Sequence, residues 1–410
     1  MTSMRAVIVG GSHAGAQLCA SLRQEGWDGD ILLIGDEPGL PYHRPPLSKA
    51  YLSGQAELAD LLIRSADFYE KQRIERRCAR VDAIDRQARR LRLDDGSEIG
   101  YDKLALCTGA RSRTLALPGA ELDGVCYLRT ATDVEAIKSR LEGVRHVAVI
   151  GGGYIGLEAA ASLRALGVAV TVLESAERVL QRVTAQQVSD FYSRVHREEG
   201  VDLRTSVVIT GLVGEDRVKA VLCANGELIA ADLVIVGIGV QPNTELAAAA
   251  GLAVDNGILI DSGALTSDPD IVAVGDCANH FCPIYGRRVR LESVPNVSEQ
   301  AKVAAATLCG KAREIKALPW FWSDQFDLKL QIAGLSHGHD EIVTRGDHRA
   351  GRGFSCFYFK QGRLIAADCI NRPQEFLFSK KVITGNLDVR KDQLADESIT
   401  LATLINPAAN

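Results

Sequence analysis

The sequence predicts an α/β fold in which one strand–turn–helix–strand unit occurs twice. The first unit begins with the apolar residues 5–9, turns through glycines between residues 10 and 15, and ends in a second apolar strand before Asp36. The same order returns after residue 146 and ends at Glu174. An apolar strand, a glycine turn, a helix and a second strand that ends in an acid are typical of a dinucleotide-binding domain. The repeat therefore predicts two Rossmann-type domains.

The size and composition indicate a globular protein of ordinary charge. The 410 residues leave room for two or three domains. Hydrophobic residues make up 46% and the net charge is −5, values that exclude a disordered chain and argue against general nucleic-acid binding. No apolar stretch reaches the roughly 20 residues that a membrane helix needs. The ten cysteines form no C-x-x-C motif, and the sequence shows no secretory signal. Together these features predict reduced thiols, no metal site and a cytoplasmic location.

The glycine positions explain how each turn could hold a pyrophosphate. The first glycine makes the turn, the second lets backbone N–H groups approach the phosphates, and the third lets the helix pack on the strand. The helix N-terminus then directs partial positive charge at the phosphates. The later copy is complete, with Gly151, Gly153 and Gly156. The earlier copy has Ser12 in place of the second glycine, between Gly10 and Gly15.

The acid of the later unit predicts the coenzyme. Glu174 would accept hydrogen bonds from the ribose hydroxyls and repel a 2′-phosphate, so NADH is expected rather than NADPH. The nearby Arg178 is a side chain that would suit a 2′-phosphate. Two nicotinamides would have no redox reason to share one chain, and the earlier unit is therefore expected to bind a flavin.

Three further segments continue the pattern. Residues 104–110, 234–243 and 266–278 are interpreted as buried strands that end in glycine-containing turns. Ligand atoms gather at the carboxyl ends of strands in such sheets, so Asp276 is expected to bind the ribityl chain of the flavin. The alternative for Asp276 is the N-cap of a following helix. After residue 318 the sequence alternates as in β-strands and then becomes helical, which predicts a separate α/β domain.

Five motifs give the sequence its family resemblance, which extends over essentially the whole chain. They are YHRPPLSKAYL at 42–52, GGGYIGLE at 151–158, GDCA at 275–278, ESVPN at 292–296 and PWFWSDQ at 319–325. In these motifs the sequence resembles the oxygenase-coupled, NADH-dependent ferredoxin reductases. The resemblance implies a glutathione-reductase-like fold, with a discontinuous FAD domain at 1–112 and 239–317, an NAD domain at 113–238 and a C-terminal domain at 318–410.

The resemblance also implies which residues contact the two coenzymes. Lys49 is expected near N5 or O4 of the flavin, paired with Glu158, and Trp322 is expected to face the flavin. Tyr154 is expected to cover the flavin until the nicotinamide displaces it. The expected FAD contacts are Gly10, Ala14, Gly15, Asp36, Lys49, Val81, Thr108, Gly109, Arg129, Asp276 and Val294. The expected NAD contacts are Gly151, Gly153, Tyr154, Ile155, Gly156, Glu174 and Gly239.

Each of these side chains also has a plainer interpretation. Lys49 could be a solvated surface lysine and Glu158 a carboxylate on an exposed helix face. Tyr154 and Trp322 could be aromatic core residues, and for Trp320 a place in the core is favoured.

The implied activity is electron transfer without thiols. Disulfide reductases of the same architecture carry a redox cysteine pair near residue 45, whereas residues 44–49 here contain no cysteine. The expected reaction is hydride transfer from NADH to FAD, followed by single-electron transfer to a [2Fe-2S] ferredoxin that serves a cytochrome P450. One alternative is a reductase for a Rieske-type dioxygenase ferredoxin or a rubredoxin. A second alternative is an NADH-sensing flavoprotein of the apoptosis-inducing-factor type.

Such ferredoxins are typically acidic, so a local basic surface is expected despite the net negative charge. The chain is expected to be a monomer or a weak dimer. Solvated arginine faces are the plainer interpretation of the same residues. The proposed contacts are Arg64, Arg287, Arg288, Arg290, Lys302 and Lys329.

Overall fold

A computed structural model describes residues 4–405 of the chain, in which strands and helices alternate. The strands are β1 (Arg5–Val9), β2 (Asp30–Gly35), β3 (Ile74–Cys78), β4 (Val81–Asp85), β5 (Arg90–Leu93), β6 (Glu98–Gly100), β7 (Lys103–Leu106), β8 (Ala110–Ser112), β9 (Val125–Tyr127), β10 (His146–Ile150), β11 (Ala169–Leu173), β12 (Asp202–Arg204), β13 (Ile209–Gly214), β14 (Val218–Cys223), β15 (Leu228–Ala230), β16 (Leu233–Val236), β17 (Val240–Pro242), β18 (Ile258–Ile260), β19 (Ile271–Ala273), β20 (Ala278–Cys282), β21 (Arg287–Arg290), β22 (Trp320–Gln325), β23 (Leu328–Gly334), β24 (Glu341–Arg345), β25 (Phe354–Lys360) and β26 (Arg363–Ile370). The α-helices are α1 (His13–Glu25), α2 (Ala66–Lys71), α3 (Ala131–Arg140), α4 (Tyr154–Ala165), α5 (Gln186–Glu198), α6 (Glu245–Ala249), α7 (Val294–Leu308), α8 (Pro373–Gly385) and α9 (Lys391–Leu394). Short 3₁₀ turns lie at Pro45–Ser48, Leu58–Leu61 and Leu401–Leu404.

The chain divides into two compact units. Unit 1 contains Met1–Arg44, Leu58–Arg111 and Val240–Ala317, and unit 2 contains Pro45–Glu57, Ser112–Gly239 and Leu318–Asn410. The three-domain division stays a prediction, and its outer limits at residues 1 and 410 lie outside the described residues.

Unit 1 is built on a parallel sheet whose strand order is β19-β7-β1-β2-β3. Val7 is opposite Leu32 on one side and Leu104 on the other. Strands β1 and β2 are covered on both faces, which is why they are almost continuously apolar in sequence. Helices α1 and α7 pack against each other in this unit. Unit 1 also contains the antiparallel sheet β4-β5-β6 and a mixed sheet, β18-β20-β21, in which β18 is parallel to β20 and β21 is antiparallel to it.

Unit 2 contains a second parallel sheet of the same kind, with strand order β12-β11-β10-β16-β9. Helix α3 begins with a capping box, because Thr130 Oγ1 accepts from the Asp133 amide while the Asp133 carboxylate accepts from the Thr130 amide. The three-stranded antiparallel sheet β13-β14-β15 lies in the same unit.

The C-terminal part of unit 2 is a five-stranded antiparallel sheet, ordered β22-β23-β26-β25-β24, followed by α8. Its strand β25 is buried through six of its seven residues, including Phe354, Phe357 and Phe359. This segment has the strand-then-helix character expected after residue 318, and no dinucleotide turn precedes its helix.

One expected alternative at the end of β19 is wrong. Asp276 does not cap a helix, because the next element, β20, is a strand. Gly275 has a positive φ of 92° and turns the chain, after which β20 pairs with β18 and β21. The predicted strand at 266–278 is correspondingly short, since only Ile271–Ala273 pairs in the parallel sheet.

Some properties of the described chain bear on the class of protein. Within residues 4–405, no helix is long and apolar enough to cross a membrane. No group of three or more His, Cys, Asp or Glu side chains in that range could hold a metal ion. All ten cysteines are free thiols.

A buried arginine holds the C-terminal segment against the antiparallel sheet of unit 2. Arg345 ends β24 with a side chain that is 7% exposed, and its Nε lies 3.5 Å from the carboxylate of Glu375, which is equally buried. Its two terminal nitrogens donate to backbone carbonyls at distances of 2.6 to 3.3 Å. The four acceptors are the carbonyl oxygens of Leu394, Asp396, Glu397 and Ile399.

Arg345→Met should destabilise unit 2 by about 3–5 kcal/mol, because it leaves four carbonyls without their donor and weakens the pairing of a buried carboxylate. Urea unfolding would measure the loss, and hydrogen exchange should increase most in residues 391–405. The control is Arg349→Met, on the exposed connection after β24, which we expect to change stability by less than about 0.5 kcal/mol. Equal effects of the two substitutions would contradict this role for Arg345.

Candidate functional site

The glycine turn after β10 in unit 2 has the shape that a dinucleotide requires. Gly151 has a positive φ of 111°, and a Cβ there would collide with the carbonyl oxygen of Gly237. A Cβ at Gly156 would collide with the carbonyl oxygen of Gly151, so only glycine permits this helix to start so close to the strand. Gly153 has open space around it and caps α4 without a side-chain hydrogen bond. The first amides of α4 are therefore accessible to a phosphate.

Glu174 is held beside this turn by main-chain donors. Its Oε2 accepts from the Gly152 amide at 2.6 Å, and its Oε1 accepts from the Ala176 amide at 2.8 Å. These two bonds fix the carboxylate at the end of β11. In a Rossmann-type domain, an acid at this position lies beside the ribose of NADH and accepts its hydroxyl hydrogen bonds. The residues of this turn therefore fit a nicotinamide dinucleotide.

Arg178 does not offer a site for a 2′-phosphate. Its Nη1 donates to the carbonyl of Thr184 at 2.9 Å and to Ser189 Oγ at 2.6 Å. Its Nη2 donates to the carbonyl of Gln181 at 3.1 Å. The guanidinium is thus used to hold the loop before α5.

One cation near the residues expected to bind NAD was not predicted from the sequence. A Cβ at Gly239 would lie 3.7 Å from Nη2 of Arg182, whose side chain is exposed. Arg182 lies in an irregular segment between β11 and α5, where no periodic pattern points to it. Its placement next to Gly239 makes it a further candidate for contact with a phosphate.

The glycine turn after β1 in unit 1 has the same construction. Gly10 has a φ of 121°, and a Cβ there would collide with the carbonyl oxygen of Cys107. A Cβ at Gly15 would collide with the carbonyl oxygen of Gly10. Ser12, in the place of the second glycine, accepts a 2.9 Å hydrogen bond from Arg44 Nε, and Arg44 also pairs with Glu37. Arg44 and Glu37 are functional candidates that the sequence analysis did not single out.

Asp276 is brought next to this first turn. A Cβ on the preceding Gly275 would lie 3.2 Å from Ala14 Cβ, and the Gly275 amide donates to Gln300 Oε1 at 2.7 Å. The end of β19 therefore meets the start of α1, as the parallel sheet requires. The turn leaves room for the phosphates of FAD beside the start of α1, and contact of Asp276 with the ribityl chain stays a prediction.

Thr108 and Gly109 are locked by an asparagine that sequence reasoning missed. The Asn243 side chain donates from Nδ2 to the Thr108 carbonyl at 2.8 Å, and the Asn243 main-chain N–H donates to the Gly109 carbonyl at 2.9 Å. Thr108 Oγ1 donates in turn to the Asn243 carbonyl at 2.7 Å. This exchange joins the carboxyl end of β7 to the segment after β17. It gives Thr108 and Gly109 one defined backbone position.

The other expected FAD contacts are divided between the units. Asp36 follows β2, Val81 starts β4 and Val294 starts α7, all in unit 1. Arg129 lies just before α3 in unit 2, where its amide donates to the Asp133 carboxylate at 3.0 Å. Contact of all these residues with one flavin stays a prediction.

Lys49 and Glu158 form an ion pair inside unit 2. Lys49 Nζ lies 2.7 Å from Glu158 Oε2, and it also donates to the Pro45 carbonyl at 2.9 Å. The side chains are only 20% and 5% exposed, so neither is a solvated surface group. Ser48 Oγ donates to Glu158 Oε2 at 2.5 Å and Ser323 Oγ donates to Oε1 at 2.6 Å. The carboxylate is thus held at both oxygens by three donors from two separate segments, residues 45–57 and β22.

The aromatic residues near this pair are partly buried. The Tyr154 ring lies 4.9 Å from that of Phe321, and burial raises the pKa of the Tyr154 hydroxyl well above its usual range. Trp322 stacks at 5.6 Å on Trp320, which also contacts Phe376 on α8. A cavity of about 460 Å³ adjoins both tryptophans. Its remaining lining residues are Asp324, Lys329, Leu330, Gln331, Asn371, Arg372 and Pro373.

Comparison with known proteins gives a consistent result over both units. Residues 4–305 match the model of the pyridine nucleotide-disulphide oxidoreductases, and residues 320–405 match the reductase C-terminal domain. The chain belongs to the pyridine nucleotide-disulphide oxidoreductase family. Its fold is the expected glutathione-reductase-like α/β fold with two dinucleotide-binding turns, and its cofactors are FAD and NADH, as expected from the sequence.

Within this family the chain is similar along its length to electron-transfer reductases. It is 47% identical over 409 residues to putidaredoxin reductase CamA of Pseudomonas putida, with 98% of this chain and 97% of the relative covered. It is 43% identical to rhodocoxin reductase of Rhodococcus erythropolis, with 98% and 94% covered. The crystal structure of a covalent putidaredoxin reductase–putidaredoxin complex contains a chain that matches with a TM-score of 0.95, at 46% identity and 98% coverage of both chains.

Another solved relative is the ferredoxin reductase for the CYP199A2 system from Rhodopseudomonas palustris. It matches with a TM-score of 0.94 at 44% identity, over 97% of this chain and 99% of that one. The expected resemblance to oxygenase-coupled ferredoxin reductases is therefore confirmed.

Two alanine substitutions at the glycine turn after β10 should distinguish an effect on folding from an effect on NAD⁺ binding. Gly156→Ala should lower the unfolding midpoint and abolish NAD⁺ binding, because its Cβ collides with the main chain. Gly153→Ala should leave the midpoint unchanged and weaken NAD⁺ binding at least tenfold, since its methyl group fills the space through which phosphates approach.

Thermal unfolding and calorimetric titration with NAD⁺ would measure the two effects. The flavin absorbance of each variant is the internal control, because neither change lies in the first turn. Wild-type NAD⁺ affinity in Gly153→Ala would contradict the placement of the pyrophosphate.

Proposed function

We propose that this chain is an FAD-dependent NADH:ferredoxin oxidoreductase that passes electrons singly to a [2Fe-2S] ferredoxin. The observation that carries the proposal is the largely buried ion pair between Glu158 and Lys49, together with the absence of cysteine from residues 44–49, where Lys49 lies. Disulfide reductases of this architecture keep their redox cysteines near that segment. A fixed cation there, without a thiol, suits direct electron delivery to an external acceptor.

The relatives support ferredoxin as the acceptor. Putidaredoxin reductase and rhodocoxin reductase are named for their carriers, and a further relative from Sphingomonas sp, 44% identical, is a ferredoxin–NAD(P)⁺ reductase. The match to the reductase of a covalent reductase–putidaredoxin complex covers 98% of this chain. Similarity at this level over the full length favours the same class of acceptor for this protein.

The residues of the chain prepare the site for a bound flavin. FAD, when bound, accepts two electrons as a hydride and releases them one at a time. Lys49 supplies a positive charge whose position is set by Glu158 and by the Pro45 carbonyl. Such a cation stabilises negative charge that develops on the reduced ring, and it is most effective when it is shielded from water. Lys49 is therefore proposed as the principal electrostatic residue of the reaction, with Trp322 facing the flavin.

The residues beside the glycine turn after β10 give the physical reason for NADH rather than NADPH as the donor. Glu174 presents a carboxylate held by two amides at the ribose position, where a 2′-phosphate would be repelled. Arg178, the cation that would have suited a 2′-phosphate, donates to Thr184, Ser189 and Gln181 instead.

A cytochrome P450 is the proposed end user of the electrons, as the resemblance to putidaredoxin reductase implies. A Rieske-type dioxygenase system is the second candidate. Two relatives support it: the ferredoxin–NAD⁺ reductase component of the anthranilate 1,2-dioxygenase system of Burkholderia cepacia, 42% identical, and the chlorobenzene dioxygenase ferredoxin reductase component of Cupriavidus sp., 37% identical. The proposal also includes a cytoplasmic location, which the ten free cysteines favour, and a monomeric or weakly dimeric state.

The basic residues expected to meet an acidic ferredoxin differ in availability. In unit 1, Arg288 is opposite the exposed Phe281 on the β20–β21 hairpin, and its Nη1 donates to the carbonyls of Ile260 and Asn279. Arg290 is paired with Glu292 at 2.7 Å and its side chain is only 12% exposed, so its charge is largely neutralised. Lys302 is exposed on α7. Arg288 and Lys302 are therefore the stronger contacts.

The remaining basic candidates are less constrained or lie in unit 2. Arg64 is half-buried, with its guanidinium 5.5 Å from the ring of Phe68. Arg287 is exposed at the start of β21. Lys329 is exposed on β23 in unit 2 and lines the cavity beside Trp322. They stay in the proposal as secondary contacts.

Purified protein should show the absorption bands of oxidised flavin, and these should bleach on addition of NADH but only slowly with NADPH. Stopped-flow spectroscopy should then show rapid reoxidation by a [2Fe-2S] ferredoxin of the P450 type. Parallel reactions with a Rieske-type ferredoxin and a rubredoxin would identify the preferred carrier. A long-lived NADH charge-transfer complex with slow reoxidation would favour the NADH-sensing alternative, and protein that stays colourless after reconstitution with FAD would refute the proposal.

Reversing charge on the proposed docking surface should weaken ferredoxin binding. Arg288→Glu combined with Lys302→Glu should raise KM for ferredoxin about tenfold or more and reduce its salt dependence, because complementary charges steer the encounter. Reduction of ferricyanide by NADH should be unchanged. The matched control is Lys219→Glu with Lys316→Glu, which makes the same change in net charge at two exposed lysines. An unchanged KM in the first variant would exclude this surface.

A further inference from the structure

Glu158 lies at the end of a chain of hydrogen bonds that begins at a fully buried histidine. His196 on α5 has Nε2 at 2.8 Å from Gln325 Oε1. Gln325 Nε2 donates to Ser323 Oγ at 3.1 Å, and Ser323 Oγ donates to Glu158 Oε1 at 2.6 Å. All four residues belong to unit 2, and each residue as a whole is at most 4% exposed. Water therefore cannot replace any of these bonds at low cost.

The directions of these bonds follow from one another. Ser323 gives its only proton to Glu158, so towards Gln325 it can only accept. Gln325 must therefore present its NH₂ group to Ser323 and its carbonyl oxygen to His196. That carbonyl requires a proton on His196 Nε2, which leaves Nδ1 without one in the neutral ring.

The surroundings of His196 agree with this neutral tautomer. Its Nδ1 is buried without a hydrogen-bond partner among residues 4–405. Burial lowers the pKa of His196 to about 4, so the ring carries no charge near neutral pH. The nearby ring of Phe326, at 5.0 Å, adds an apolar wall.

The chain is suited to holding a carboxylate in place rather than to moving protons. Every donor in it points towards Glu158, and a proton passed along it from His196 would leave an imidazolate in an apolar site. The Gln325 amide would also have to give up a nitrogen proton, which it does not do near neutral pH. The direction of donation along the chain, from His196 to Glu158, is therefore fixed.

The two oxygens of Glu158 receive separate groups of donors. Oε1 is held by Ser323, whose hydroxyl is oriented because Gln325 occupies its acceptor side. Oε2 is held by Ser48 and pairs with Lys49. A rotation of the carboxylate about its last bond would break both groups at once, so the Oε1 side controls where the Lys49 ammonium lies.

We propose that Gln325 and His196 are positioning residues that orient Glu158 through Ser323 and thereby hold the Lys49 ammonium for hydride transfer to FAD. This inference rests on the proposed function, because it assigns Lys49 to the reacting site. Neither Gln325 nor His196 needs to contact a coenzyme for the effect. Their role is distinct from core packing, since it depends on an N–H donor at one position.

A pair of substitutions at His196 tests this dependence on a donor. His196→Leu removes the donor, whereas His196→Gln keeps an N–H group near the position of Nε2. His196→Leu should slow hydride transfer from NADH about fivefold, the value of one neutral hydrogen bond, with an unchanged Kd for NADH. His196→Gln should restore at least half of the lost rate. Exposed His146→Gln is the control that should change nothing.

A second readout does not use the rate. Gln325→Leu and Ser323→Ala should shift the midpoint potential of the bound flavin in the same direction, and the double variant should shift it no further than Ser323→Ala alone. Additive shifts, or no shift in Gln325→Leu, would overturn the proposal. Equal rates in His196→Leu and His196→Gln would also overturn it.

A third readout separates this inference from the proposed function. Nitrogen-15 NMR of the holoenzyme should show His196 protonated at Nε2, with a proton that exchanges slowly with water. A proton at Nδ1 would overturn the chain of hydrogen bonds even if NADH:ferredoxin activity is high. Failure of the wild-type protein to reduce any ferredoxin would refute the proposed function and would leave the NMR result intact.

Discussion

The structure of unit 2 depends on placing a carboxylate and an ammonium group together where little water reaches them. A buried ion pair is tolerated only when its remaining hydrogen-bonding capacity is also used. Glu158 meets this condition through Ser48 and Lys49, both from the segment at 45–57, and through Ser323 of β22. The pair therefore requires α4, the Pro45–Ser48 turn and the C-terminal sheet to be packed together. That packing also places Tyr154 at the start of α4 against Phe321 of β22.

The two dinucleotide turns are governed by a different constraint, the space around the main chain. At Gly10 and Gly151 the backbone has a positive φ, and a side chain would strike the carbonyl oxygen of the residue that follows the neighbouring strand, β7 or β16. At Gly15 and Gly156 a side chain would strike the turn itself. These requirements are local and independent of the ion pair, and they recur because each turn joins a parallel strand to a helix. Ser12 is accommodated because the middle position is limited by access to the ligand rather than by collisions within the chain.

Membership of a family named for disulphide chemistry does not require a thiol in this chain. Residues 44–49 contain prolines, a serine and Lys49 in place of cysteines, and the lysine is bonded into unit 2. A fixed charge can assist electron flow through a flavin, whereas a cysteine pair would itself store the two electrons. Under the proposed function, the architecture is retained while a fixed charge takes the place of the thiols.

The α/β class, the positions of both glycine turns and the pair of coenzymes could all be predicted from the sequence. These features depend on short-range sterics and on the periodicity of strands and helices, and both can be recognised within about 30 residues. The strands predicted at residues 5–9 and directly after residue 146 accordingly match the starts of β1 and β10 to within one residue. The family motifs added Lys49 and Glu158, but they did not indicate what else holds Glu158.

The hydrogen-bond and ion-pair partners of individual polar side chains could not be predicted from the sequence and are known from the tertiary structure. Glu158 finds its serine partners 110 and 165 residues away, and His196 finds Gln325 at a separation of 129. Arg178 turns to the loop before α5, Arg290 is neutralised by Glu292, and Asp276 precedes a strand rather than a helix. None of these outcomes has a periodic signal, because a polar side chain takes whichever partner the packing of distant elements brings within hydrogen-bond distance.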